Sequence, residues 1–267
     1  MALRYITGRS GQGKTEYLVK EVIRRSIEIP EKQYYVIVPE QFSLEMQRKI
    51  VKMHPRHGFF NIDVLSFHRL SYRIFAECNY QPKEILEDLG VSMMLRKILS
   101  EEEGDFLYFK KSMKKPGFID ELKSMLMEFI GYGVSWKQVE EVTKQLDENK
   151  SLCNKCEELG RIYERFEKAI EGRFMVTEQI LDIAREFTGK APMLKNAVFY
   201  FDGFAGFTPV QISFLRELLK VAAQINVTVT IPEFIPGQKG MSEDLFNASK
   251  KTCLLYTSPS PRDLSTS

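Results

Sequence analysis

Apolar residues follow two rhythms along this chain, and the change between them divides it. The runs Leu3–Thr7 (LRYIT), Tyr34–Val38 (YYVIV), Ile62–Ser66 (IDVLS), Ala197–Phe201 (AVFYF) and Asn226–Ile231 (NVTVTI) have the length and β-rich make-up of strands. Between them, apolar residues recur at helical spacing, as Leu18, Val19, Val22 and Ile23 do after Lys14. Apolar strands alternating with helices predict an α/β fold, a parallel sheet covered on both faces. From about Pro82 to Pro192 only the helical rhythm remains, in Met93, Met94, Ile98, then Leu122, Leu126, Phe129, then Leu159, Ile162, Tyr163, Phe166. Because strands resume afterwards, this all-helical stretch is read as an insertion into one core. The expected division is residues 1–85 and 192–251 for the α/β core, 86–191 for the helical insertion, and 252–267 for a disordered tail. That tail is rich in Ser, Thr and Pro and lacks periodicity. Its run Leu254–Asp263 resembles translated sequencing-adaptor read-through, so the native sequence is expected to continue beyond about Lys251.

The densest chemistry sits between the first strand and the first helix. Gly8-Arg9-Ser10-Gly11-Gln12-Gly13-Lys14-Thr15 fits the pattern GxxxxGK[ST] in the strand, loop, helix context that a P-loop requires. Glycines let such a loop turn backbone N–H groups toward phosphate oxygens, and the helix amino terminus adds partial positive charge. Lys14 would reach the outer phosphates of ATP, and the Thr15 hydroxyl would ligate Mg²⁺. The bland alternative is a glycine-rich turn with no ligand. A P-loop also needs an acid at the end of a neighbouring strand, and Asp202, closing the run Ala197–Phe201, is the candidate. Its alternative is a turn residue before Gly203. Gly203 itself stands where many hydrolysing motors carry a glutamate that polarises water, which argues against turnover. The strand ends should bring the P-loop, Pro39-Glu40-Gln41, Ser66-Phe67-His68 and Asp202 together.

Composition narrows the picture further. Across 267 residues, 38 Lys plus Arg face 36 Asp plus Glu, and 43% of residues are hydrophobic, enough for a sizeable core without a global basic field. Any nucleic acid must be held by a local patch. The densest one is Lys110, Lys111, Lys114 and Lys115 beside Phe109 and Phe118, which reads either as a phosphate-backbone contact or as a solvated face. No apolar run is long enough to span a membrane and no signal peptide is evident, so a cytoplasmic protein is expected. Four cysteines, Cys78, Cys153, Cys156 and Cys253, are too few for a disulfide scaffold. The pair Cys153 and Cys156 forms a lone CxxC, read as two small helix residues because a zinc site normally takes four ligands.

Four motifs in order carry a resemblance: GRSGQGKT at Gly8–Thr15, YYVIVPEQFSLEMQ at Tyr34–Gln47, DVLSFHRLSYRIF at Asp63–Phe75 and FYFDGFAGFTPVQ at Phe199–Gln211. Together they resemble the amino-terminal part of the AddB family, the helicase-like components of bacterial helicase-nucleases that process DNA double-strand breaks for homologous recombination. The resemblance implies a RecA-like P-loop NTPase core of the superfamily one helicase type, interrupted by a helical insert. It also implies an AddA-type partner subunit in a heterodimer, and single- and double-stranded DNA ends as substrate. Recognition of a recombination hotspot sequence is expected of the family as well. In such helicases a Phe-His pair opening a helix lies along single-stranded DNA, which maps to Phe67, His68 and Arg69. Stacking on a base and pairing with phosphate are the contacts these residues would make. The alternative is that Phe67, Leu70 and Ile74 form a core stripe, leaving His68 and Arg69 as the contacts.

Departures from an active helicase are also part of the resemblance. Only seven residues precede Gly8, with no upstream glutamine element for adenine, and Gly203 replaces the expected glutamate. A second RecA-like domain and a nuclease domain with an iron–sulfur cluster belong to the missing carboxyl-terminal part of the family. The four cysteines here are not assigned to that cluster. Nucleotide binding with little turnover is therefore expected, with no nuclease or unwinding activity in the fragment. Two rivals remain open: a truncated active superfamily one helicase or other P-loop NTPase, and a scaffold with a vestigial loop.

Overall fold

Parallel pairing accounts for every long apolar run. The structure, a computed structural model, describes residues 2–101, 106–113, 115–145 and 150–230. In chain order its elements are β1 (Ala2–Gly8), α1 (Lys14–Glu28), β2 (Tyr34–Ile37), α2 (Ser43–Met53), β3 (Ile62–Leu65), α3 (Phe67–Glu77), β4 (Glu84–Ile85) and α4 (Asp88–Glu101). They continue with α5 (Phe118–Tyr132), α6 (Trp136–Gln145), α7 (Lys150–Ile170), β5 (Phe174–Met175), α8 (Ile180–Arg185), β6 (Val198–Phe201), α9 (Pro209–Val221) and β7 (Gln224–Thr230). Five strands form one parallel sheet in the order β1-β7-β6-β2-β3. Ile231, which the sequence assigns to the last strand, the tail 252–267, Lys114 and Cys253 lie outside the described residues.

By contact the described residues divide into 2–80 with 184–230, and those between 81 and 183. In the first unit the sheet alternates its side chains between two cores. Val36, Val198 and Tyr200 pack with Leu18, Val19 and Val22 of α1 and Met46 and Ile50 of α2. The intervening residues face the other way, where Tyr35 stacks on Phe199 at 4.9 Å and Phe201 meets Phe67 of α3 at 5.7 Å. Every residue of β2 and β6 is buried, which is why both read as continuous apolar runs; the edge strand β1 is half-exposed. Each fully buried large side chain, Phe199, Phe201 or Phe214, contributes about 2 kcal/mol by leaving water. Residues 184–191, counted with the insertion by periodicity, lie in this unit, where Phe187 meets Tyr80 at 4.5 Å and Phe75 at 6.0 Å.

Two helix starts near the strand ends are set by local chemistry. Ser66 caps α3, its hydroxyl accepting the Arg69 N–H at 3.3 Å. Thr208 and Gln211 cap α9 reciprocally, at 3.3 Å and 3.0 Å, with Pro209 opening the helix.

The second unit is built on helices α4, α5, α6 and α7 around Leu95, Leu122, Leu126, Ile162 and Phe166. It also contains a feature that periodicity misses, a parallel pairing of β4 with β5. Two residues per strand are too few to show alternation. Buried Glu158 on α7 accepts three backbone N–H groups, from Leu107 at 2.6 Å, Tyr108 at 2.7 Å and Phe109 at 2.9 Å, which pins the 3₁₀ turn Phe109–Lys111 to α7. Among the described residues, no helix is long and apolar enough to cross a membrane.

Candidate phosphate and metal site

The segment joining β1 to α1 turns on two glycines in the left-handed region, Gly11 at φ 77° and Gly13 at φ 79°, where any other residue would be strained. Gln12 closes the turn. Its Oε1 accepts the Arg9 N–H at 2.7 Å, and its own N–H donates to the Arg9 carbonyl at 3.3 Å. A Cβ on Gly8 would stand 3.1 Å from Gln12 Oε1, so the glutamine amide would have to shift to admit one. No side chain caps α1, so the first-turn N–H groups that lack intrahelical partners are left for a ligand. The Lys14 ammonium donates to the carbonyls of Gly8 at 2.9 Å and Arg9 at 2.8 Å. Burial pulls its pKa below the usual lysine value, and the charge of Asp202 partly restores it.

Asp202 sits at the end of β6, 5% exposed, with its N–H donating to the Ile37 carbonyl at 3.0 Å. Its Oδ1 accepts the Thr228 hydroxyl at 2.6 Å. No hydrogen bond from the described residues reaches Oδ2. A cleft of about 680 Å³ is lined by Ser10, Gly11, Gly13, Lys14 and Thr15 from the loop and by Asp202, with Glu16, Lys49, Gly203, Phe204, Ala205, Thr228 and Thr230 completing the wall. Thr15 and Asp202 thus offer a hydroxyl and a carboxylate with a free oxygen to one space. Hard oxygen donors of this kind, too few alone, fit Mg²⁺ when phosphate oxygens and water fill the remaining positions. Gly203 follows at φ 79°, and a Cβ on it would stand 3.4 Å from Pro39 Cδ.

Sequence reasoning missed Thr228, Thr230 and Lys49 as wall residues. The threonines alternate along NVTVT at the end of β7, a signal legible only once β7 is known to run beside β6. The segments Pro39–Gln41 and Ser66–His68 do not line the cleft among the described residues. They meet each other instead, through a hydrogen bond from the Ser66 hydroxyl to the Glu40 carboxylate.

Of the three residues assigned to DNA, the structure separates one from the others. Phe67 is 8% exposed and its ring contacts Phe201, Phe204, Phe207 and Phe214 at 5.4 to 6.2 Å. A ring enclosed by four others has no face left for a base. His68 and Arg69 are exposed, with His68 edge-on to Tyr72 at 4.9 Å. One turn on, exposed Arg73 is held by Asp63. Elsewhere, Lys110, Lys111 and Lys115 are exposed, and Cys153 and Cys156 lie along α7.

The family model described as ADDB, N-terminal, matches residues 5–256. The chain belongs to the AddB N-terminal family. Among curated relatives, the B component of an ATP-dependent helicase/deoxyribonuclease from Lachnoclostridium phytofermentans is 35% identical over 252 residues, 94% of this chain and 22% of the relative. Proteins with the same name from Acetivibrio thermocellus and Clostridium kluyveri are 33% and 31% identical, over 85% and 94% of this chain. The chain spans about a fifth of the length of these AddB relatives, 20% to 22%.

Proposed function

We propose that the chain is the nucleotide-binding amino-terminal module of an AddB-type protein, within a helicase-nuclease that acts on DNA ends together with an AddA-type partner. The observation that carries this reading is the single cleft shared by the glycine loop, Thr15 and Asp202, in a chain of the AddB family. In this reading the fold is a RecA-like core in which Gly8–Thr15 cradles the phosphates of ATP. Thr15 and Asp202 orient Mg²⁺, whose role when bound is to neutralise phosphate charge. Lys14 exchanges the carbonyls of Gly8 and Arg9 for phosphate oxygens. Gly203 offers no side chain to polarise water, so ATP is held with little turnover. His68 and Arg69 contact single-stranded DNA, while Phe67 fixes the helix that presents them.

Titration with Mg-ATP followed by thermal unfolding tests the reading, because a ligand that binds only the folded state stabilises it by about 2.7 kcal/mol at a hundred times its Kd. A saturable rise in Tm that Lys14→Ala removes is expected. An unshifted wild-type protein would reduce the loop to a structural turn.

A further inference from the structure

Lys49 on α2 is a second cation facing the cleft, and none of the sequence motifs includes it. Its neighbours Met46 and Ile50 are buried in the core, so α2 is held against the sheet while the half-buried Lys49 extends along its flank to the cleft wall. Some lysines on other helices pair with a glutamate one turn away, as Lys168 does with Glu164 at 2.8 Å and Lys144 with Glu140 at 3.2 Å. Lys49 has Glu45 at that same spacing and forms no ion pair with it among the described residues. Glu16, the other acid on the wall, is engaged by Lys20 at 2.7 Å. Among the described residues, Lys49 is thus a cleft ammonium without a hydrogen-bonding partner.

Charge balance says what would occupy it. The cleft wall carries two cations, Lys14 and Lys49, and two acids, Glu16, which bonds to Lys20 and also feels the charge of Lys49, and Asp202, the acid assigned to Mg²⁺ in the reading above. A triphosphate brings more negative charge than one Mg²⁺ and one lysine neutralise, and the excess lies on its terminal group. Lys14 belongs to the loop on the β1 side, whereas Lys49 comes from α2, which follows β2. We propose that Lys49 binds the terminal phosphate of a bound nucleoside triphosphate from the flank of α2, making the site selective for triphosphate over diphosphate. This rests on the nucleotide reading above and adds to it a residue that distinguishes the two nucleotides.

Calorimetric titration of the whole chain with Mg-ADP and with the non-hydrolysable analogue Mg-AMPPNP decides the matter, on wild type, Lys49→Gln, Lys49→Arg and Lys14→Ala. For Lys49→Gln the expected result is about a tenfold weaker Kd for AMPPNP, the scale of one charge-assisted hydrogen bond, with ADP affinity changed less than about twofold. Lys49→Arg, which keeps the charge, should retain the preference for AMPPNP, and it carries the test if Lys49→Gln does not fold. Unchanged AMPPNP affinity in Lys49→Gln, or an equal loss for both nucleotides, overturns the role of Lys49 while leaving the nucleotide site standing. Wild-type protein that binds neither nucleotide overturns both readings together.

Discussion

Thr228 shows how far a site extends beyond its motif. The Asp202 carboxylate is buried, and the Thr228 hydroxyl is the group that fixes its orientation, at 2.6 Å. Thr228→Val keeps the shape and removes the donor, leaving Oδ1 buried and unpaired, which should cost about 1–3 kcal/mol in urea unfolding and lower affinity for Mg-nucleotide. Equal stability of variant and wild type would show that Asp202 finds another partner. Phe67 and His68 separate in the same manner. Phe67→Ala should lose about 3–5 kcal/mol by opening a cavity among four phenylalanines, whereas His68→Ala should leave the unfolding midpoint in place and weaken single-stranded DNA binding read by fluorescence anisotropy. Undiminished DNA binding by a doubly substituted His68→Ala, Arg69→Ala protein would remove α3 from the DNA path. The place of the glycine loop on the cleft was legible because its motif is contiguous, and that of Asp202 because it ends an apolar run. Those of Thr228 and Lys49 were not, since they depend on which strand and which helix flank the cleft. A phenylalanine opening a helix reads the same whether a base or a core receives it.

At the level of elements, strands buried on both faces announce themselves, and β2, β3 and β6 begin and end within a residue of the apolar runs that predict them. The β4–β5 pair escaped notice because its two-residue strands carry no period. Glu158 escaped for another reason. An acid within an amphipathic helix ordinarily belongs to the solvent face, and only the fold reveals three backbone N–H groups converging on it. Those N–H groups belong to successive residues, so the carboxylate acts as an end-cap for a turn distant in sequence. Glu158→Leu should therefore destabilise residues 81–183 by roughly 3 kcal/mol or more, since charge-assisted bonds are lost and the donors stay partly buried. Hydrogen exchange resolved by segment would read this as lost protection at Leu107–Phe109; unaltered exchange there would mean that water replaces the carboxylate.

Over the whole molecule, the sheet carries its own limit toward high pH. Burial raises the pKa of Tyr35 and of Tyr200 to about 12, against an ordinary value near 10. Both groups favour the neutral form in the folded state, so their contribution is complete below pH 10 and is lost as pH climbs toward 12. Phenolate absorbance should go on rising above pH 10 as the buried tyrosines, Tyr35 and Tyr200 among them, ionise, the late rise coinciding with loss of circular dichroism. A single stage near pH 10 with the fold intact would place both rings within reach of solvent. Strand order has a mechanical consequence as well. The loop leaves β1 and the acid leaves β6, with β7 lying between them. The two grips on a nucleotide therefore stand two strand spacings apart, about 10 Å. A triphosphate held as proposed would be a cross-brace over three strands. It would resist the sliding of β7 between its neighbours, so loading the cleft should stiffen the sheet along its hydrogen-bonded direction, and emptying it should release that tension.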